Sequence, residues 1–320
     1  MGQLDGAGLD VEDLQACSAD DPSRLLTMRV GVLILPSASW TQAEEMWRTA
    51  DELGFAHAWT NDHIGWQDMV GKEWYSAVPI LAAAAVVTRR IQFGTLVSSP
   101  NLRHPVPYAK EVVTLNDLSG GRFVLGIGAG GSGVDAITLG QEQEWTANER
   151  AERFAEFVEL MARLLSNAVT DADGKYYQAR QAPITPVDTP PVPIPLAIAA
   201  YGPRGMALAA RHGEIWVTNG RSPRNGVVPP VARPDDVAGQ VRQLADICET
   251  VGRDPATLRR LLMYVNREPP ALASLDVFRE TVDTYRRVGI TDLVVPFPGL
   301  APFDTSMEVL EQVAGILPDL

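Results

Sequence analysis

Cysteine is nearly absent: Cys17 and Cys248 are the 2 cysteines of a 320-residue chain, and neither has a close-spaced partner. A disulfide-stapled scaffold, a cysteine-based zinc site and a Cys-x-x-Cys redox pair are therefore excluded, and two free thiols suit a reducing compartment. Histidine is also scarce, with 4 in all, and neither paired histidines at helical spacing nor a calcium-loop pattern of acids occurs. No metal is expected. Basic residues are in deficit, 27 Lys plus Arg against 40 Asp plus Glu, for a net charge of −13. Such a surface repels phosphate backbones and anionic headgroups, so neither nucleic acid nor a membrane is an expected partner. Long hydrophobic runs are missing too. The longest uncharged apolar stretch, residues 74–88, contains Pro79 and falls short of the ~20 residues that cross a bilayer. The N-terminus lacks the basic start and apolar run of a secretory signal, so the expected location is cytoplasmic. No nucleophile elbow marks a serine hydrolase.

What remains is an ordinary core-forming composition, 46% hydrophobic, arranged as a repeat of short Val/Ile/Leu-rich runs, each followed by a longer amphipathic segment. Strands are predicted at 29–35, 56–60, 91–98, 122–127, 194–200, 214–218, 260–266 and 292–296. Their near-continuous apolar character fits parallel strands covered on both faces. Helical stripes run through Ala43, Met46, Trp47, Ala50 and Leu53, through Phe154, Val158, Met161 and Leu165, and through Val237, Val241, Leu244 and Cys248. Thr41 with Glu44, and Thr146 with Glu149, fit capping boxes; Pro105 suits a first helical turn. Eight β/α units over about 290 residues predict an α/β fold, a (β/α)8 TIM barrel. Residues 168–193, rich in proline, form an insertion between the fourth helix and fifth strand, expected as a surface excursion or an edge of the pocket. Residues 1–27, with six acids and one base, read as an acidic flexible extension, and 28–320 as one barrel domain.

In such a barrel the active site lies on the loops after the strands' C-terminal ends. That rule selects Asn61, Asp62, His63 and Trp66 after strand two, then Ser98, Ser99, Arg103 and His104 after strand three. It also selects Gly128, Gly130 and Gly131; Tyr201, Gly202, Arg204 and Gly205; Asn219; and Asn266 with Arg267. An imidazole can exchange a proton near neutrality, so His63 suits proton transfer, with Asp62 or another acid to tune it; its plainer role is to hydrogen-bond within its loop. The run from Gly126 to Gly131 satisfies G-x-G-x-x-G, but some fifteen loop residues follow where a dinucleotide fold needs a helix at once. A flat backbone platform for a planar ring is the better reading. Gly202-Pro203-Arg204-Gly205, opening a helix, suits either a phosphate or a tight turn. Trp40, Trp47, Trp59, Trp145 and Trp216 read as packing, whereas Trp66 and Trp74 flank a loop at the mouth.

The segments Asp51-Glu52-Leu53-Gly54-Phe55, Asn61-Asp62-His63, Thr88-Arg89-Arg90-Ile91-Gln92-Phe93-Gly94-Thr95, Arg103-His104-Pro105, Leu118-Ser119-Gly120-Gly121-Arg122 and Tyr201-Gly202-Pro203-Arg204-Gly205 recur in this order in a known family. The chain resembles the bacterial-luciferase-like flavin- and deazaflavin-dependent oxidoreductases, more closely the coenzyme F420 branch. The resemblance implies a ring bound at the C-terminal face against Thr95, Leu96, Val97, Gly128, Ala129 and Gly130, with a cis peptide at Leu96–Val97. It implies a phosphate at Tyr201, Gly202, Arg204 and Gly205, His63 and Asp62 as the catalytic pair, and Trp66, Trp74, His104 and Asn219 toward the substrate. The activity implied is hydride transfer between F420 and a small organic molecule. An FMN-dependent two-component monooxygenase using O2 is the alternative, and a non-catalytic flavin-binding barrel a further one. A homodimer and a separate flavin or F420 reductase are expected partners. Two positions depart from the family's sugar-phosphate dehydrogenases: Gly131 replaces a glutamate that follows the glycine loop, and Trp66 stands three residues after His63 rather than four.

Overall fold

The computed structural model describes residues 27–66, 69–131, 133–141, 145–184, 193–220, 233–265, 269–303 and 305–320. Their order is β1 (Arg29–Leu33), α1 (Trp40–Glu52), β2 (His57–Thr60), α2 (Ala77–Val87), β3 (Gln92–Thr95), α3 (Pro105–Leu118), β4 (Phe123–Gly128), α4 (Val134–Thr138) and α5 (Ala147–Ser166). Then come β5 (Val169–Asp173), β6 (Gln178–Pro183), β7 (Leu196–Ala199), α6 (Pro203–His212), β8 (Ile215–Thr218), α7 (Pro234–Thr250), β9 (Arg259–Met263), α8 (Leu275–Arg287), β10 (Asp292–Pro296) and α9 (Met307–Ala314).

Eight of the strands close a parallel barrel in the order β1-β10-β9-β8-β7-β4-β3-β2, the expected architecture. Its strands are buried almost throughout because helices cover the outside while side chains fill the inside. Trp47, Trp59, Phe93, Phe123 and Trp216 are fully buried. Each large apolar side chain removed from water contributes roughly 1.5–3 kcal/mol. Among the described residues no helix is long and apolar enough to cross a membrane.

Local signals were used unevenly. Thr146 and Glu149 form the expected capping box, and Pro105 occupies the first turn of α3. The box expected at Thr41 and Glu44 is not made: α1 starts at Trp40 with Ser39 as its N-cap, two residues earlier than that box requires, so Thr41 lies inside the helix. The insertion after α5 holds an antiparallel hairpin, β5 with β6, absent from the sequence reading. Its strands, of 5 and 6 residues, are as long as the barrel's own, but most of their positions are exposed, so they lack the near-continuous apolar run of a barrel strand. The extension, apart from Thr27, and most of 220–234 lie outside the described residues, as do Asn266 and Arg267.

The N-terminal end of the barrel is closed by a charged cluster. His57 Nδ1 accepts from Trp59 Nε1 (2.8 Å), which places the ring proton on Nε2, where it is donated to Asp292 Oδ1 (3.2 Å). Arg259 pairs with both oxygens of Asp292, Thr291 donates to one of them at 2.6 Å, and Arg29 Nε lies 3.9 Å away. Asp292 is held well below the ordinary carboxylate value: its burial acts the other way, but the hydrogen bonds from His57 and Arg259 and the charge of Arg259 outweigh it. Burial pushes His57 below its ordinary value and keeps it neutral.

Candidate active site

The opposite, C-terminal end carries the residues selected from sequence. Thr60 closes β2, and the chain runs on through Asn61, Asp62 and His63; the Leu96 amide donates to the Thr60 carbonyl at 2.8 Å, tying the ends of β2 and β3 together. The Leu96–Val97 peptide bond is cis. Beyond it Ser98 bridges to β4, its N–H donating to Gly126 and its carbonyl accepting from Gly128, both at 2.9 Å. A side chain on Gly128 would begin 2.7 Å from Val97 Cγ2, and Gly130, at φ +70°, turns over Asn101. Only glycine allows that approach and that turn without strain. Val97, Ala129 and Gly130 are half-buried and form the upper surface of this shelf. Thr95 and Leu96 lie beneath it, and the Thr95 hydroxyl is taken by the Gly126 carbonyl at 2.7 Å.

His63 is partly exposed, and its Nδ1 lies 2.5 Å from Asp135 Oδ2. The other oxygen, Asp135 Oδ1, accepts from the Ile64 N–H at 2.8 Å, so one carboxylate fixes both ring and backbone. The shared proton sits on Nδ1, because a carboxylate only accepts; that leaves Nε2 as the ring's acceptor. Trp74 Nε1 donates to the His63 carbonyl at 2.8 Å. Trp66 stands 6.3 Å, centroid to centroid, from both Trp74 and Phe303, forming an aromatic wall beside the imidazole.

The acid beside His63 is thus Asp135 rather than Asp62. Asp62 is buried and turned the other way: Arg103 grips it through Nη2 (2.7 Å) and Nε (3.0 Å), and Ser98 Oγ donates to it at 2.6 Å. This bidentate pair locks the β2 and β3 loops together. The sequence does not single out Asp135, because α4 spans only 5 residues, too few for a periodic pattern, in a stretch whose glycines and polar residues point to loop. The available signal was position: it is the first acid after the glycines of β4, on the face where barrel sites are built.

Gly202 precedes α6, whose first turn holds Pro203 and has no side-chain cap. The space where a Gly202 side chain would stand is open, and the helix's positive end faces it. Arg204 Nη1 reaches Asn148 Oδ1 at 3.4 Å, Gly205 packs on Ala200, and Tyr201 is exposed. Because Gly128 pairs with Ala199 in adjacent strands, the shelf and this helix start are neighbours on the rim. Asn219 is half-buried just beyond β8. His104 is set apart from the His63 group: it caps α3 through Val106 N (3.3 Å) and packs edge-on against Tyr177 at 5.4 Å. Among the described residues no cluster of His, Cys, Asp and Glu could hold a metal ion.

Comparison with known proteins gives the family and the fold. The sequence matches the luciferase-like monooxygenase family over residues 24–264. It is 37% identical over 204 residues to an F420-dependent glucose-6-phosphate dehydrogenase of Beutenbergia cavernae, covering 62% of this chain and 59% of that protein. It is 31% identical over 244 residues to an F420-dependent hydroxymycolic acid dehydrogenase of Mycobacterium tuberculosis (73% and 62%). To a 4-hydroxyprotoasukamycin monooxygenase of Streptomyces nodosus it is 31% identical over 226 residues (68% and 56%). The chain therefore spans about three fifths of the length of these relatives. Its fold is shared with an F420-dependent secondary alcohol dehydrogenase, at a TM-score of 0.73 and 17% identity, covering 92% of this chain and 98% of the other. A match over three quarters of the sequence shows that the chain belongs to the luciferase-like family.

Proposed function

We propose that the protein is an oxidoreductase that transfers a hydride between coenzyme F420 and a small organic substrate, with His63 moving the accompanying proton. The observation that carries this is the 2.5 Å contact between His63 Nδ1 and Asp135, which leaves Nε2, bonded to no described residue, on the partly exposed rim. The residues present fit the cofactor. The Val97, Ala129 and Gly130 shelf is flat because a side chain at Gly128 would collide with Val97, and the uncapped start of α6 suits a phosphate. Relatives named for F420 support the deazaflavin.

When bound, the deazaflavin supplies a ring carbon that accepts or gives a hydride. The chain does the rest. The shelf orients a planar group, Trp66, Trp74 and Phe303 keep water from one side, and His63 holds or takes a proton at Nε2. Asp135 is a positioning residue that fixes the ring and its tautomer. Gly131, where sugar-phosphate dehydrogenases of the family carry a glutamate, argues for a small alcohol or carbonyl substrate rather than a sugar phosphate. The test is His63→Ala. F420 affinity, read by fluorescence, should stay within about twofold, while turnover of any alcohol or carbonyl compound accepted by the wild type falls roughly 10²–10⁴-fold. Unchanged turnover removes His63 from the mechanism.

A second reading, a monooxygenase using reduced FMN and O2, is favoured by the monooxygenase relative and by the same aromatic wall, which would exclude water from that side of the site. It would need a separate reductase. A homodimer is proposed from the family resemblance alone.

A further inference from the structure

A cleft of about 380 Å³ lies beside the shelf, between the loop after β3, the start of α5 and the turn of the β5–β6 hairpin. Arg103, His104, Trp145, Arg153, Lys175 and Tyr177 are among its lining, and no acid is among the described residues that line it. Arg103 and Lys175 already have carboxylate partners, Asp62 and Glu152. Arg153 differs. Only 5% exposed, its guanidinium donates through Nη2 to Asn101 Oδ1 at 2.5 Å and lies over the Trp145 ring at 4.9 Å. Among the described residues it has no acidic partner, and its Nε bonds to nothing. Two further donors of the same lining are buried without a described partner, Trp145 Nε1 and Tyr177 Oη, with Tyr177 itself 7% exposed.

A buried cation without a counter-charge is costly, as is each buried donor left unpaired. The deficit here has one sign: a guanidinium N–H, an indole N–H and a phenol all lack an acceptor around one cleft. We infer that this cleft binds the carboxylate or phosphate group of a small molecule, with Arg153 as its counter-charge and Trp145 and Tyr177 as hydrogen-bond donors. Asn101 couples it to the rim, since its Oδ1 accepts from Arg153 while its Nδ2 donates to the Gly131 carbonyl at 2.9 Å. The anion has two available sources: a free anion in solution, or the acidic part of a molecule whose ring sits on the shelf. Only the second rests on the proposed function.

The test titrates inorganic phosphate and glutarate against the wild type, Arg153→Met and Tyr177→Phe, following thermal midpoint, and compares binding of F420 with its deazaflavin riboside, which lacks phosphate and carboxylates. For a free anion, phosphate or glutarate raises the wild-type midpoint saturably, Arg153→Met abolishes the rise, and Tyr177→Phe weakens the apparent affinity at least threefold. For the cofactor's acidic part, Arg153→Met weakens F420 at least tenfold and leaves the riboside unchanged. Wild type and variants that respond alike to the anions and bind F420 alike overturn the inference. Should Arg153→Met fail to fold, Tyr177→Phe, which loses one hydroxyl, decides by the same arms. A wild type that binds neither F420 nor FMN but shows the Arg153-dependent anion response sinks the proposed function and leaves this inference standing; F420 bound identically by all three proteins, with no anion response, does the reverse.

Discussion

Two histidines six positions apart sit at opposite ends of the barrel, each beside an aspartate, and they do different work. His57 is fully enclosed, with Nδ1 taken by Trp59 and Nε2 by Asp292, whose charge Arg259 and Arg29 balance. Both nitrogens are used, so no proton can be exchanged with a ligand. His63 has one nitrogen taken, by Asp135, and is partly exposed. An imidazole beside a carboxylate is therefore no sign of catalysis by itself; what matters is whether the second nitrogen has a partner and whether a ligand can reach it.

The sharpest way to break this comparison is Asp292→Ala. It leaves Arg259 and His57 without their shared acceptor deep in the barrel floor, and is expected to cost about 3–5 kcal/mol in a denaturant titration. Cofactor affinity of the folded fraction should not change. At the other end, Asp135→Asn should lower kcat about 10–100-fold through misplacement of the His63 ring, with KM and thermal midpoint nearly unchanged. A large loss of stability there would move Asp135 into the structural class with Asp292.

A pH series separates the pairs further. His57 is held below its ordinary value of 6.5, so as pH falls through that value the unfolded chain takes up a proton that the folded one refuses. Stability from this group is complete above about 6.5 and declines below it, by at most about 1.4 kcal/mol per pH unit. Asp292, also held low, adds a second loss at more acidic pH. His57→Gln should flatten the first decline, while His104 and His212, lowered by burial, leave a residual slope; equal slopes in both proteins would contradict the account. The smallest effect is expected at Thr146→Ala, which removes a made capping box for about 1 kcal/mol and should leave activity intact.

Much of the barrel was legible because its signals are local and repeated: eight apolar runs, stripes such as Phe154 to Leu165, and Thr146 with Glu149. His63, Gly128 and Gly202 could be placed at the rim because strand ends point there. The hairpin of β5 and β6 was not legible, since its strands are mostly exposed and polar and lie beside prolines, without the continuous apolar run that marks the barrel strands. Asp135 was missed for a different reason. Its meeting with His63, 72 positions away in sequence, is made by the barrel bringing β2 and β4 to one rim, and no spacing encodes that. The orphaned donors around Arg153 likewise exist only once α5, the β3 loop and the hairpin converge.

The central claim is that a deazaflavin ring lies on the shelf formed by Val97, Ala129 and Gly130. Fluorescence titration of F420 and FMN against the wild type and Gly128→Val tests it most directly. The account predicts tight F420 binding and weak FMN binding by the wild type, with F420 binding lost in Gly128→Val, whose new side chain would crowd Val97, while the thermal midpoint stays within a few degrees. F420 bound equally well by both proteins, or FMN alone bound by the wild type, would contradict it.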